Sequence, residues 1–110
     1  MPGTFELYKD ARGEFRFRLN ASNGKTILSS EGYKQRSSAE NGIASVKKNS
    51  ADDNRYERKE TINGQFMFNL KATNGQVIIT SHAFKTPATR DEGIEAVKRN
   101  APEAGVQDLT

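Results

Sequence analysis

Phe15, Phe17, Leu19 and Ala21 alternate with Arg16, Arg18 and Asn20, the period-two pattern of a strand with one apolar face. Asn23-Gly24 follows, a pair suited to the two left-handed residues of a type I′ hairpin turn, and "KTILSS" returns as the partner strand. The same pattern recurs further on: Phe66, Phe68 and Leu70, then Asn74-Gly75, then "QVIITS". Another candidate strand precedes each pair, "TFELYKD" joined through "ARG" and "RYERKET" joined through "ING". The second is polar enough to read as an edge strand, or as one facing solvent on one side.

The period then lengthens to that of a helix. Ala39, Gly42, Ile43 and Val46 fall on one helical face, as do Gly93, Ile94 and Val97. Ser37 and Glu40 have capping-box spacing, and Thr86-Pro87 offers an N-cap with proline in the first helical position. Lys47, Lys48, Lys98 and Arg99 suit the negative end of the helix dipole. Asn49 and Asn100 are placed to take a left-handed stop, with Pro102 helping to end the second helix. "GVQDLT" reads as a short final strand.

These parallels are one internal repeat with an offset of 51 residues. Residues 13–52 lie over residues 64–103 without a gap, with 15 of 40 positions identical. A constant register over that length marks a duplication. One unit has a hairpin sheet and one helix, too small a core to stand easily alone, and two units are too few for a solenoid. The expected architecture is therefore α+β: tandem β-β-β-α(-β) units, about 1–51 and 52–110, in one domain with a shared core. They should form one mainly antiparallel sheet with two helices on one face, about a pseudo-two-fold axis. The core should contain Phe15, Phe17, Leu19, Ile27, Ile43, Val46, Phe66, Phe68, Leu70, Ile78, Ile94 and Val97.

The duplication also bears on a helix fault made twice. Gly42 and Gly93 sit within their helices, where glycine costs roughly 0.5–1 kcal/mol against alanine. Both face inward, so the expected compensation is close approach of the helix backbone to the sheet or to the other helix. A phosphate held at the glycine is the functional alternative, but phosphate loops place glycine before the helix N-terminus.

"NGKTILSS" and "NGQVIITS", the aromatic-Lys steps "GYK" and "AFK", and "AENGIASVKKN" together resemble the YegP-like family of small bacterial proteins of unknown function. The resemblance runs from Thr4 to Thr110. It implies β-β-β-α-β units, in tandem or as two subunits, that form one sheet with exchanged C-terminal strands. The second unit departs mildly, with Arg90-Asp91-Glu92 where the first has Ala39-Glu40-Asn41. The family brings no catalytic or binding residues to carry over.

Composition narrows the function without identifying it. No apolar run approaches the roughly 20 residues of a membrane span, and the start of the chain has no signal-peptide core. Without cysteine there is no disulfide or thiolate site, and a cytoplasmic location fits. His82, the one histidine, has Glu31 as its counterpart, and no residues have metal-ligand spacing. No phosphate loop or nucleophile motif appears, so the chain is expected not to be an enzyme and no cofactor is implied.

Two binding readings remain, and the tandem form is expected to be a monomer. Protein interaction is favoured: strands pair between units, open edges recruit other chains, and Tyr33-Lys34 and Phe84-Lys85 form a repeated candidate recognition point. The same aromatics could instead only staple the helix entries. The alternative is nucleic acid. The net charge of +3 comes wholly from the first half, where residues 1–52 hold nine Lys/Arg against six Asp/Glu. Arg16 and Arg18 share a sheet face that Lys9, Arg12 and Lys25 would border. The second unit has Met67 and Asn69 at the arginine positions, and the aromatics needed for base stacking alternate mostly onto the buried face.

Overall fold

A computed structural model describes residues 3–110. The first unit contains β1 (Thr4–Lys9), β2 (Phe15–Asn20), β3 (Thr26–Ser29) and α1 (Arg36–Asn49). A short 3-10 turn, Asp53–Arg55, leads into β4 (Tyr56–Glu60), β5 (Phe66–Lys71), β6 (Val77–Thr80), α2 (Pro87–Asn100) and β7 (Gly105–Asp108). All seven strands form one sheet in the order β4-β5-β6-β3-β2-β1-β7. Every pairing is antiparallel except β7 on β1, and the units meet in the middle through a single partnership, Ser29 with Thr80.

The pairing of β7 with β1 is the strand exchange expected of the resemblance. The chain leaves α2 of the second unit and crosses to the first, where Gly105–Asp108 lies beside Thr4–Leu7. The mirror-image step fails to occur. After α1 the chain turns through Asp53–Arg55 and becomes β4 itself, so among the described residues no strand lies on the outer side of β4. Its polar sequence suits that edge.

Both helices lie over the face that carries Phe5, Leu7, Phe17, Leu19, Phe68 and Leu70, all at most 1% exposed. Ile43, Val46, Ile94 and Val97 meet them from α1 and α2, and the buried residues form one cluster across both units. Phe15 and Phe66, the first residues of β2 and β5, are only partly buried, as is Ile78, which falls at the register shift in β6 while Ile79 opposite Leu70 takes the buried position. The alternation misses β1, whose Phe5 and Leu7 complete the first half of the core.

The turns differ from expectation in an instructive way. Among the described residues only Gly13, Gly24, Gly64 and Gly75 have positive φ, so Asn23 and Asn74 are not left-handed and the turns are not type I′. In each of the four hairpins a glycine N–H bonds the carbonyl three residues back, and the loop holds three residues. Asn23 and Asn74 instead accept, through Oδ1, the N–H of Lys25 and Gln76, both at 3.0 Å. This side-chain turn stabilises the right-handed asparagine and leaves only glycine to reverse the chain. Register shifts at Leu19/Asn20 and at Leu70/Lys71 place one extra residue, Ile27 and Ile78, in β3 and β6.

The helix ends also need correction. Ser37 does not cap α1; the helix starts at Arg36 after an extended Gln35, with no side-chain cap bond. Thr86 does cap α2, and its capping-box partner is Thr89. Asn49 and Asn100 do not adopt the left-handed conformation, since no described residue other than glycine has positive φ, and Ser50 and Ala101 after them are also right-handed at φ −64° and −74°. Both asparagines are buried and donate back to helix carbonyls, Asn49 to Ser45 at 2.9 Å and Asn100 to Ala96 at 2.7 Å.

At Gly42 a Cβ would stand 2.8 Å from Cε2 of Phe17 and 3.2 Å from the Tyr33 hydroxyl. At Gly93 it would meet Cζ of Phe84 at 2.9 Å and Cε2 of Phe68 at 3.4 Å. The close approach is therefore of sheet-side aromatic rings to helix backbone. Tyr33 stacks on Phe17 with centroids 6.4 Å apart, and Phe84 on Phe68 at 6.3 Å.

Candidate interaction surfaces

The sheet face away from the helices carries Glu6 and Tyr8 on β1 and Arg16 and Arg18 on β2. Each arginine already has a carboxylate. Arg16 donates to Asp10 at 2.7 Å and also to the Ser30 carbonyl at 3.2 Å. Arg18 donates to Glu6 at 2.6 Å and lies over the Tyr8 ring, 4.5 Å from its centroid. The hydrogen bond from Arg18, then that from Asn20, holds Glu6 below the usual carboxylate range, and Arg16 does the same for Asp10. Tyr8, the one aromatic beside the arginines, is thus covered by a guanidinium rather than free to stack on a base.

The other three cations are scattered. Lys9 faces the opposite side of the sheet, because it shares its parity with Phe5 and Leu7; its Nζ lies 5.1 Å from the centre of the Phe15 ring. Arg12 is exposed in the β1–β2 loop and Lys25 in the β2–β3 loop, at opposite ends of β2. Arg16 and Arg18 are adjacent on one face, and the structure does not bring Lys9, Arg12 and Lys25 to them.

Tyr33 and Phe84 are half-buried and tied to the sheet by isolated antiparallel bridges to Phe15 and Phe66. Their rings fill the space above Gly42 and Gly93. Lys34 and Lys85 beside them are exposed. The exposed His82 packs its ring 4.3 Å from that of Phe84. Among the described residues no three His, Asp or Glu side chains are grouped to hold a metal ion. None of these residues has a helix long and apolar enough to cross a membrane.

The outer edge of β4 has a different character. Phe66 exchanges both backbone bonds with Phe84, and Ser81 N–H bonds the Phe68 carbonyl, so residues 66 and 68 of β5 point their backbone toward β6. Residues 67 and 69 therefore point toward β4 and pair with Lys59 and Glu57. By alternation, the backbone groups of Tyr56, Arg58 and Glu60 point away from the sheet. The Tyr56 N–H is taken by the Asp53 carbonyl of the 3-10 turn. Arg58 N–H and C=O are the centre of what stays open.

The side chains along this edge are charged and mutually paired. Arg58 bridges Asp53 at 3.2 Å and Asp91 at 3.3 Å, and Lys98 reaches Asp53 at 2.7 Å. Lys98 first, then Arg58, holds the Asp53 carboxyl below its usual range. On the solvent face Glu57 accepts from Asn69 and Lys71 and lies 3.8 Å from Lys59. Glu57 is the repeat mate of Glu6, so each unit has one glutamate gathering donors from its second strand. Sequence reasoning finds the edge strand but not the ion network, whose members come from the 3-10 turn, β4 and α2.

The fold defines a class: small α+β proteins built as two fused repeats that close into one sheet. Residues 10–57 and residues 62–108 each match a family described as "Domain of unknown function (DUF1508)", and this chain belongs to that family. It is 58% identical over 109 residues to the UPF0339 protein in the ptx operon 5′ region of Stutzerimonas stutzeri, covering 99% of this chain and 98% of that one. It is 50% identical over 110 residues to the UPF0339 protein YegP of Escherichia coli, covering all of both chains. The solution NMR structure of yegP from E. coli superposes with a TM-score of 0.93, covering 100% of this chain and 95% of that one at 50% identity. That of UPF0339 protein SO3888 from Shewanella oneidensis superposes at 0.92 and 44% identity, covering 100% and 93%. The yegP structure is described as that of a protein of unknown function.

Proposed function

We propose that this protein is a non-catalytic, cytoplasmic protein-interaction module that recognises extended polypeptide through the edge of its sheet. The observation that carries this reading is the outer edge of β4, which presents outward backbone groups at Arg58 and Glu60, whereas its repeat mate β1 is covered by the short strand β7 that forms the opposite edge. Unpaired strand edges are the common entry point for β-addition, in which main-chain bonds supply affinity and alternate side chains supply selectivity. The repeated aromatics are less suited to recognition because Tyr33 and Phe84 pack over the helix glycines.

Nucleic-acid binding is the second reading, supported by the neighbouring Arg16 and Arg18 on an uncovered sheet face. It is disfavoured by their carboxylate partners, which a phosphate would have to displace.

Two experiments test these readings. A random linear peptide library is panned on the protein, and enriched peptides are titrated into ¹⁵N-labelled protein. The expected result is amide shifts at Tyr56–Glu60 and along β5. Peptides that bind only elsewhere, or no enrichment at all, would refute edge recognition. Fluorescence anisotropy with labelled single-stranded RNA and DNA, at about 50 and about 200 mM salt, should give no salt-sensitive binding. Tight binding lost on Arg16→Ala and Arg18→Ala would establish the second reading instead.

A further inference from the structure

We propose that the β4 edge takes a second copy of this chain, antiparallel, about a two-fold axis through Arg58, joining two sheets into one. This deepens the edge-recognition reading and rests on it. The sequence of β4, "YERKE", is self-complementary in this register. Arg58 faces Arg58, Glu57 faces Lys59 of the other copy, and Tyr56 faces Glu60. The backbone phase agrees. Arg58 has both its groups outward, so the two Arg58 residues exchange N–H···O bonds, while each Glu60 N–H meets the outward carbonyl of Tyr56 in the other copy.

Glu57 and Lys59 then form the closely spaced pairs without backbone bonds, where opposite charges on the same face attract most strongly. The facing arginines are not a bare repulsion, for each is neutralised by Asp53 and Asp91 of its own copy. The Tyr56 N–H is already taken by the 3-10 turn. The antiparallel register needs that donor only at its margin. It also brings Ile62, a fully exposed apolar side chain in the β4–β5 loop, toward the Asp53–Arg55 turn of the other copy. Two five-residue edges make a small contact, so the dimer should be weak and reversible, at the low end of interface size.

The test is sedimentation equilibrium and ¹⁵N relaxation on the full chain, from about 0.05 to about 1 mM, the range that reads a weak Kd. The expected result is a concentration-dependent dimer with exchange broadening at Arg58–Glu60. E57K or K59E alone should raise Kd roughly tenfold, and E57K/K59E together should return it to within roughly threefold of the original. Arg58→Pro should abolish the dimer while leaving the fold intact by circular dichroism, because its N–H points away from β5. A chain that stays monomeric throughout, or a dimer indifferent to these changes, overturns the proposal. If it stays monomeric while a selected peptide shifts the Arg58–Glu60 amides, self-pairing falls and edge recognition stands. If neither partner engages the edge, both fall.

Discussion

Replacing Gly42 by alanine should destabilise the protein, against the ordinary rule. In an exposed helix that change stabilises by roughly 1 kcal/mol, because glycine loses more backbone freedom on folding. At Gly42 the new methyl stands 2.8 Å from Cε2 of Phe17, about 1 Å inside normal carbon contact. Phe17 is completely buried, with its ring stacked on Tyr33 and edge-on to Phe5, so it cannot swing clear. Overpacking of this kind costs roughly 1–3 kcal/mol. The net is therefore a loss of about 1 kcal/mol, or roughly 4 °C in Tm for a chain of this size. Gly93→Ala makes the internal control. Its methyl meets Cζ of Phe84 at 2.9 Å, but Phe84 is half-buried at the margin and can yield, so the two effects should nearly cancel. Valine, with two further methyls, should lower Tm by roughly 10 °C at Gly42 and by less at Gly93. Differential scanning calorimetry of the four variants reads this directly. A Gly42→Ala protein more stable than the parent would refute the packing account.

Thr86→Ala should cost about 1 kcal/mol in a urea melt by removing the side-chain bond to Thr89 N–H, whereas Ser37→Ala should change little because Ser37 caps nothing. Tyr56→Phe should cost about 1 kcal/mol, since the buried hydroxyl gives a 2.7 Å bond to the Ser50 carbonyl that nothing else replaces. Asp108 is held down to about 2 by its bonds from Thr110, then by Arg36. A depressed carboxylate stabilises above its unfolded pKa of about 3.9 and loses that contribution as pH falls through the folded value. Protection factors along β7, corrected for intrinsic exchange, should therefore fall as pH drops from about 4 to about 2, and Arg36→Ala should move the onset to higher pH; protection independent of pH in that window would contradict the role given to Asp108.

The repeat made most of this architecture legible. Residues that alternate or recur at helical spacing record which side is buried, and the constant offset says that two such records share one core. Phe17, Leu19, Phe68, Leu70, Ile94 and Val97 all lie where that pattern puts them. Local chemistry was harder to read. Asn-Gly suits more than one hairpin, and in these loops glycine alone takes positive φ while Asn23 and Asn74 accept the N–H two residues on. Ser37 had the right spacing for a cap, yet the chain enters α1 two residues earlier, held at its first turn by backbone and by Arg36 reaching Asp108 and Thr110. The basic surface could not be judged from charge alone, because Asp10 and Glu6, which neutralise Arg16 and Arg18, lie on a different strand or turn. The open edge was partly visible in the polarity of "RYERKET". What makes it open, the missing counterpart of β7, follows only from where the last strand goes.

That last strand links the two ends of the chain. Thr4 pairs with Gly105, and Leu7 receives a backbone bond from Leu109. β1 therefore leaves the ribosome well before the strand that borders it, and its outer side must wait through the making of the second unit. Pairings so distant along the chain are slow to form. The closing step of folding should be the docking of residues 105–108. A truncation there would move the edge of the sheet inward to the apolar strand β1, a form of this protein that every newborn copy passes through.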